Sequence, residues 1–252
     1  MRIDFTGRNV LVTGGSRGIG TAIVRAFAAA GARVAVHYGR EQARAEALAT
    51  EVGGGAAAFG ADLGDPVACG RLWDAVVERF GPVDVLVNNA GVAIGSPLDA
   101  DDAQWVADWD RTMAVNLTAS ALLCRAAVRH FAANGGGRIV NIASRAAFRG
   151  DQPDYLAYAA SKAGMVALTR SIARAYGGQG VAAFVVAPGF TRTEMAQDFI
   201  DRYGEAIALK DNALGRLTEP EDVAPTVVFL ASGLADHATG TTVDINAGSY
   251  VR

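Results

Sequence analysis

Apolar residues recur along the chain in short continuous runs, which are separated by segments of helical length. Seven runs of apolar or β-branched residues lie at 9–14, 33–38, 56–62, 83–89, 137–144, 180–189 and 241–248. A strand that is apolar at every position is buried on both faces, and such strands are typical of parallel sheets. The pattern therefore predicts seven strands in a parallel sheet.

Helix-length segments lie between the predicted strands, at 18–30, 41–52, 66–80, 102–133, 156–176 and 220–232. Strand and helix thus alternate about six times, which is the order of repeated βαβ units. With right-handed crossovers, this order predicts an α/β fold of the doubly wound kind, with helices on both faces of the sheet.

The longest departure from the alternation is the irregular segment at 190–215. Insertions at the carboxyl edge of such a sheet usually shape a ligand site. The strands and helices use up the chain and leave no linker. We therefore predict a single domain over residues 1–252, with a substrate-loop insertion at about 190–215.

Composition excludes several classes of function. The chain has 252 residues, of which 51% are hydrophobic, and this is enough for the core of one large α/β domain. Its net charge of −3 is mixed in sign along the chain and gives no large basic field, so nucleic acid is not expected as a partner. We find no long apolar segment or export signal, so no membrane partner is expected and a cytoplasmic location is predicted.

The cysteines and histidines do not predict a metal site. Cys69 and Cys124 have no CxxC spacing and are interpreted as buried apolar residues. His37, His130 and His237 are scattered and lie in no HxxxH or HExxH motif. We expect no metal.

A glycine-rich turn, TGGSRGIG at 13–20, follows the first predicted strand and opens the first helix. Gly14, Gly18 and Gly20 give a G-x-x-x-G-x-G spacing, which allows a pyrophosphate to approach the backbone N–H groups at the helix start. Taken alone, such a turn could be an ordinary tight loop. Its position after the first strand favours dinucleotide binding.

The tip of the second strand bears on the choice between NAD and NADP. An acidic residue there would bind the ribose 2′-hydroxyl of NAD, but residues 36–40 contain none, and Tyr38 stands at the expected position. Arg40 and Arg17 are within reach of the same place, and guanidinium groups suit a 2′-phosphate. We predict NADP (NADPH) as cofactor, the alternative being that both arginines are solvated surface residues.

Several motifs together resemble the short-chain dehydrogenase/reductase family. They are TGGSRGIG at 13–20, NNAG at 88–91, Asn116, Ser144, YAASK at 158–162, PGFTRT at 188–193 and GRLTEPEDVA at 215–224. In motif the chain is most similar to the 3-oxoacyl-[acyl-carrier-protein] reductase-like members. The resemblance covers essentially the whole chain, with two departures, Phe184 in the sixth strand and DINAG at 244–248.

The resemblance implies a Rossmann-type fold with strand order 3-2-1-4-5-6-7, a homotetramer, and hydride transfer between a nicotinamide and a carbonyl or alcohol. It implies Ser144, Tyr158 and Lys162 as the catalytic set, joined by Asn116 through a water relay. The implied cofactor-binding residues are Gly14, Ser16, Arg17, Gly18, Ile19, Gly20, Tyr38, Arg40, Asp62, Leu63, Asn89, Ala90, Gly91, Tyr158, Lys162, Pro188, Gly189, Thr191 and Thr193.

These residue types suit the reduction of a carbonyl group. The oxygen that develops negative charge needs a proton donor and hydrogen bonds. Tyr158 can donate the proton, and Lys162, four residues later on the same helix face, is expected to lower the pKa of the phenol. Ser144 can donate a hydrogen bond to the same oxygen. The alternative is an exposed tyrosine and lysine pair with no function, and Asn116 could be only a solvated or capping residue.

The substrate pocket is expected to contain Ser144, Arg145, Tyr155, Phe190 and the 190–215 segment. The apolar side chains of Met195 and Phe199 in that segment favour a moderately apolar ketone as substrate. Packing in the core would explain the presence of these two residues about as well. Arg129 and Arg174 lie on helices that face acyl carrier protein in the reductases this chain resembles, so an acidic carrier protein is a possible partner.

Three interpretations of function remain. The first is an NADPH-dependent reductase of 3-oxoacyl thioesters or small ketones. The second is an NAD-linked dehydrogenase of a sugar, polyol or other secondary alcohol. The third is a non-catalytic nucleotide-binding scaffold, which would not need Ser144, Tyr158 and Lys162 together.

Overall fold

Seven parallel strands form one sheet in the order 3-2-1-4-5-6-7, as predicted. The computed structural model describes residues 3–204, 206, 209 and 211–252, without the side chains of residues 195, 198, 199, 202 and 203. Its strands are β1 Asn9–Val12, β2 Arg33–Tyr38, β3 Ala57–Gly60, β4 Val85–Asn88, β5 Gly137–Ile142, β6 Val181–Pro188 and β7 Thr242–Ile245. Every strand pairing is parallel, which confirms the doubly wound Rossmann-type class.

The helices connect successive strands. In the described residues they are α1 Gly18–Ala29, α2 Gln42–Val52, α3 Pro66–Phe80, α4 Asp102–Met113, α5 Ala119–Ala133, α6 Ala146–Arg149, α7 Leu156–Tyr176, α8 Glu194–Tyr203 and α9 Pro220–Ala231. Short 3₁₀ turns lie at Pro153–Tyr155, Gly177–Gln179 and Asp236–Ala238. Within the described residues, no helix has the length and apolar character needed to cross a membrane.

The core lies on both faces of the sheet, which explains the continuous apolar strands. In β1, Val10 and Val12 pack into a cluster with residues of α1 and α9, whereas Leu11 packs on the opposite face with residues of α3 and α5. Phe184, one of the departures from the family pattern, is fully buried in the first of these clusters. A polar residue at any of these positions would have to give up its hydration without a partner.

The structure differs from the sequence prediction in two connections. The segment 102–133, predicted as one helix, is divided by a π-helical turn at Ala114–Thr118 between α4 and α5. Such turns insert an extra residue into a helix and are frequent at functional sites. The segment 190–215, predicted as irregular, contains α8, because the Thr193 side chain caps the helix by accepting a hydrogen bond from the N–H of Ala196.

Candidate active site

Three of the four predicted catalytic residues meet at the carboxyl end of β5. Ser144 follows this strand by two residues, and α7 carries Tyr158 and Lys162 past the same edge. The Ser144 hydroxyl lies close enough to the Tyr158 phenol to lower its pKa, and the Lys162 Nζ lies 5.7 Å from the centroid of the Tyr158 ring. The structure therefore brings the hydroxyl, the phenol and the ammonium group together.

Lys162 lies almost completely inside the protein. Its Nζ donates a hydrogen bond to the backbone carbonyl of Ile142, the last residue of β5, at 2.8 Å. Burial lowers the pKa of Lys162 to about 8, because the charged form loses its hydration. The ammonium form still predominates at neutral pH.

The phenol of Tyr158 is protonated at neutral pH. Burial raises its pKa to about 12, the nearby Ser144 hydroxyl lowers the pKa in part, and the negative charge of Asp151 raises it further. This direction is the opposite of the one expected from the charge of Lys162, whose ammonium group points to the Ile142 carbonyl instead. The phenol therefore carries its proton, as a proton donor must.

Asn116 is completely buried in the π-helical turn. Its side-chain oxygen accepts from the N–H of Val92 at 2.8 Å, and its amide nitrogen donates to the Val92 carbonyl at 2.9 Å and to the Ser161 Oγ at 3.0 Å. Ser161 precedes Lys162 on α7. The side chain of Asn116 thus joins the loop after β4 to the helix that carries Tyr158 and Lys162, which is a positioning arrangement.

The glycine-rich turn forms a surface that only small residues allow. Gly14 and Gly18 have positive φ angles of 62° and 53°, which side chains with a Cβ adopt at a cost. A Cβ at Gly14 would lie 2.9 Å from the Ala90 Cα, and a Cβ at Gly20 would overlap the Gly14 carbonyl oxygen. A side chain at either position would therefore collide with the protein backbone, and the small residues at the start of α1 fit the close approach of a pyrophosphate.

The strand ends next to this turn converge on the same cleft. The Asn89 side chain donates to the carbonyls of Thr13 and Gly14 at 2.9 and 3.0 Å, and the N–H of Ala90 donates to the Thr13 Oγ1 at 3.0 Å. A Cβ at Gly91 would meet the Lys162 Nζ at 3.3 Å. The NNAG segment therefore runs from the glycine-rich turn to the catalytic lysine.

The PGFTRT segment continues from β6 along the other side of the cleft. Pro188 ends β6, Gly189 lies against Asn246, and the Thr191 Oγ1 donates to the Gly189 carbonyl at 3.2 Å. Thr193 reaches the glycine-rich turn, since a Cβ at Gly18 would lie 3.1 Å from the Thr193 Cγ2. Ser16 and Ile19 of that turn are partly buried, and Ile19 packs against the core.

The tip of β2 is arranged around a tyrosine and an aspartate. The Tyr38 ring lies across Gly60 of β3, where a Cβ would meet the ring at 2.9 Å. Asp62 accepts from Arg111 at 2.9 Å and from the N–H of Gly64 at 2.9 Å, and its pKa is lowered mainly by Arg111, with a smaller contribution from Arg40. Leu63 beside it is buried.

Arg17 and Arg40 have different surroundings. The charge of Arg40 acts on Asp62, whereas Arg17 lies 3.7 Å from a carboxylate oxygen of Glu194. The other carboxylate oxygen of Glu194 accepts from Arg44 at 2.5 Å. The sequence analysis did not identify Glu194 or Arg44, because the contact joins residues 150 positions apart.

The predicted substrate residues lie on the segments that follow β5 and β6 and at the start of α7, and Arg145 is a charged group among them. The Arg145 Nη1 donates to the Ser249 Oγ at 2.5 Å, and burial lowers the pKa of this guanidinium. Tyr155 lies beside Gly95, and Phe190 is partly buried after β6. The side chains of Met195 and Phe199, also predicted here, lie outside the described residues.

His37 is a site residue that the sequence analysis missed. Its Nδ1 accepts from the N–H of Gly14 at 2.9 Å, and its Nε2 lies 3.1 Å from the Ala61 carbonyl, to which it donates in the neutral form. Burial lowers the pKa of His37 to about 4, so the ring is neutral and can accept at Nδ1. The available signal was the position of His37 next to the end of β2, opposite the glycine-rich turn.

The chain is similar to known proteins along its whole length. The family model described as enoyl-(acyl carrier protein) reductase matches residues 14–249. D-threitol dehydrogenase of Mycolicibacterium smegmatis is 38% identical, and the match covers 100% of this chain and 98% of the relative. The 3-oxoacyl-[acyl-carrier-protein] reductase of Vibrio cholerae is 34% identical over 249 residues, which cover 99% of this chain and 100% of the relative.

A solved structure has the same fold. The short chain dehydrogenase from Burkholderia cenocepacia in complex with NADP superposes with a TM-score of 0.88 at 37% identity. The match covers 97% of this chain and 98% of that chain.

Proposed function

Since this chain belongs to the short-chain dehydrogenase/reductase family of NAD(P)-dependent oxidoreductases, which interconvert alcohols and carbonyl groups, we propose that it is an NADPH-dependent carbonyl reductase. The substrate class is a 3-oxoacyl thioester or a small ketone, and the product is a secondary alcohol. The observation that carries the proposal is that Ser144, a protonated Tyr158 and Lys162 meet at the carboxyl end of β5.

The residues act as follows. A nicotinamide, when bound, supplies the hydride. Tyr158 donates its proton to the carbonyl oxygen as negative charge develops there, and Ser144 donates a hydrogen bond to the same oxygen. Lys162 holds its ammonium group beside the Tyr158 ring, where it would donate a hydrogen bond to the ribose of the nicotinamide. Asn116 keeps α7 in place relative to the loop after β4.

The preference for NADPH rests on the charges at the tip of β2. Residues 36–40 contain no carboxylate to bind a ribose 2′-hydroxyl, whereas Arg17 lies in the glycine-rich turn and Arg40 follows β2, and guanidinium groups suit a 2′-phosphate. The relative of known structure holds NADP, which supports the same assignment.

A screen of cofactor oxidation tests the proposal. NADPH and NADH are each combined with acetoacetyl thioesters, diketones and keto sugars, with Tyr158→Phe as the inactive control. We expect turnover of a thioester or ketone with kcat/KM higher for NADPH than for NADH. Equal or better use of NADH refutes the cofactor assignment, and tight NADPH binding without turnover of any substrate favours the scaffold function.

A second candidate function, oxidation of a polyol or other secondary alcohol, is favoured by the charges around Tyr158. The Arg149 Nη1 lies 3.7 Å from a carboxylate oxygen of Asp211, and the Asp151 carboxylate acts on Tyr158, Arg145 and Arg149. Charged groups near Tyr158 suit a substrate with several hydroxyl groups better than an acyl chain. D-threitol dehydrogenase, the relative at 38% identity, is an enzyme of this class.

The two candidates are separated in the oxidising direction. Four-carbon to six-carbon polyols and 3-hydroxyacyl thioesters are offered with NAD⁺ and with NADP⁺, and kcat/KM is compared. Higher kcat/KM for a polyol with NAD⁺ supports the second candidate and contradicts the first.

An acidic carrier protein remains a proposed partner for the first candidate. Arg129 on α5 and Arg174 on α7 are both exposed and free to meet an acidic surface. Their replacement by glutamate should lower kcat/KM for a 3-oxoacyl carrier protein and leave kcat/KM for the coenzyme A thioester unchanged. Equal effects on both substrates would argue against carrier-protein docking.

A further inference from the structure

The carboxylate of Glu194 lies between two arginines at the cofactor cleft. One oxygen accepts from the Arg44 Nη1 at 2.5 Å, and the other lies 3.7 Å from the Arg17 Nη1. Glu194 is the first residue of α8, and Thr193 before it rests on Gly18 of the glycine-rich turn. The contact therefore joins three parts of the cleft, namely the turn, the start of α2 and the segment after β6.

The two guanidiniums are already arranged around an anion. Arg17 is the residue of the glycine-rich turn that is expected at a 2′-phosphate, and Arg44 approaches the same carboxylate from α2. A carboxylate and a phosphate are recognised by guanidinium groups in the same way. Glu41 also lies 3.5 Å from Arg44, so this arginine is oriented from both sides.

The contact can exchange with solvent anions. The side chains of Arg17, Arg44 and Glu194 are 51%, 53% and 54% exposed, and ion pairs of this exposure contribute little to stability. A phosphate dianion carries more charge than the carboxylate and can replace it on both arginines.

We propose that Glu194 is a specificity-determining residue, which competes with the 2′-phosphate of NADP(H) for Arg17 and Arg44, and that Arg44 binds this phosphate once Glu194 is released. The inference rests on the proposed function only in taking NADP(H) as a ligand. NADPH must displace the carboxylate, whereas NADH has no 2′-phosphate and leaves the contact intact. Glu194 thus weakens the discrimination between the two cofactors.

Cofactor binding tests the inference without any substrate. Dissociation constants of NADPH and NADH are measured by fluorescence titration at fixed ionic strength for the parent, Glu194→Gln and Arg44→Gln. Glu51→Gln is the matched control, because Glu51 pairs with Arg25 at 2.7 and 3.0 Å on the surface, and the two side chains are 53% and 51% exposed.

Glu194→Gln should bind NADPH about two- to fivefold more tightly, which is the range expected for an exposed ion pair, with unchanged affinity for NADH. Arg44→Gln should bind NADPH several-fold more weakly, again with unchanged affinity for NADH. Glu51→Gln should change neither.

Three results would overturn the inference. These are an unchanged NADPH affinity in Glu194→Gln, equal changes for both cofactors in either variant, and an unchanged NADPH affinity in Arg44→Gln. Equal changes would mean that Glu194 only holds the start of α8 in place. The outcome of this measurement can be distinguished from failure of the proposed function. The ratio of the dissociation constant of NADH to that of NADPH can rise in Glu194→Gln even if the parent does not prefer NADPH, and no ketone reduction is needed to measure it.

Discussion

The Nζ of Lys162 donates to the carbonyl oxygen of Ile142 at 2.8 Å, and the lysine side chain is only 3% exposed. A cation in this position is placed for chemistry at the expense of stability. Burial alone lowers the pKa of Lys162 from 10.5 to about 8, and a shift of this size corresponds to roughly 3 kcal/mol of destabilisation of the charged form.

Replacement of Lys162 by methionine is therefore expected to stabilise the cofactor-free protein while abolishing turnover. Methionine fills a similar volume without a charge, but the Ile142 carbonyl loses its partner, which costs about 1 kcal/mol. The net gain of about 1 to 2 kcal/mol should raise Tm by roughly 2 to 6 °C in a protein of this size. Calorimetry without cofactor measures the change, and a lower Tm would contradict the interpretation.

The pH dependence of this gain provides an internal control. Below pH 8 Lys162 is protonated in both the folded and the unfolded protein, so the full cost is present. Between pH 8 and 10.5 only the unfolded chain binds the proton, so the stability of the parent rises with pH. The difference in unfolding free energy between Lys162→Met and the parent should shrink from pH 7 to pH 10, as measured by urea unfolding.

Tyr158→Phe should abolish turnover while NADPH binding remains measurable. The variant keeps the ring beside which Lys162 lies, and loses the hydroxyl that donates the proton. Steady-state kinetics and a fluorescence titration of NADPH measure the two effects separately. Activity within about tenfold of the parent would overturn the assignment of Tyr158 as proton donor, since general acids contribute roughly 100-fold or more.

The sheet was predictable from the sequence because its signal is local. In β1, for example, Val10, Leu11 and Val12 are all fully buried, and alternate residues face opposite layers of helices. A continuous apolar run therefore contains the information that both faces are covered. The order of the strands came from the family resemblance rather than from these runs.

Contacts between distant parts of the chain account for what the sequence analysis missed. Glu194 and Arg44 meet across 150 positions, and nothing in either local sequence indicates the other. The pKa of Tyr158 depends on how deeply the phenol is buried and on where the Lys162 ammonium group points, and neither follows from the spacing of the two residues. The start of α8 could have been predicted from Thr193, which is a helix-capping residue. The irregular composition of the segment favoured a loop instead.

Ala247→Gly should stabilise the protein. Within the described residues, Ala247 is the non-glycine residue with a positive φ angle, 52°, in the turn where the sequence departs from the family pattern. The left-handed conformation destabilises alanine by about 1 kcal/mol. Glycine removes this strain, but part of the gain is lost because glycine increases the conformational entropy of the unfolded chain. We expect Tm to rise by about 1 to 3 °C.

A matched substitution checks that the effect comes from the backbone angle. Ala132 is exposed on α5 and helical, so Ala132→Gly should lower the unfolding free energy by up to about 1 kcal/mol. If Ala247→Gly were as destabilising as Ala132→Gly, the strain at Ala247 would not be present in solution.

His37 is expected to control cofactor affinity through the glycine-rich turn. The Nδ1 of the buried His37 ring accepts from the N–H of Gly14. His37→Leu leaves that N–H without its partner, and the backbone of the glycine-rich turn is then no longer fixed in position. The loss of a buried hydrogen bond of this kind costs about 1 to 3 kcal/mol, so the dissociation constant of NADPH should rise roughly tenfold. His37→Asn, whose side-chain oxygen can accept from Gly14, should retain most of the affinity.

Kinetics and pH distinguish this positioning role from a general loss of stability. In His37→Leu, the KM for NADPH should rise while kcat changes little, because the residue does not touch Ser144 or Tyr158.

The pKa of His37 is about 4 in the folded protein and 6.5 ordinarily, so the unfolded chain binds the proton first, and the stability of the parent falls as the pH drops from 6.5 to 4. His37→Asn removes this dependence, and its unfolding free energy relative to the parent should therefore improve at pH 4.5 compared with pH 7. A parallel pH dependence in the two proteins, or a fall in kcat equal to the rise in KM, would show that His37 does not hold the turn in the way the hydrogen bonds indicate.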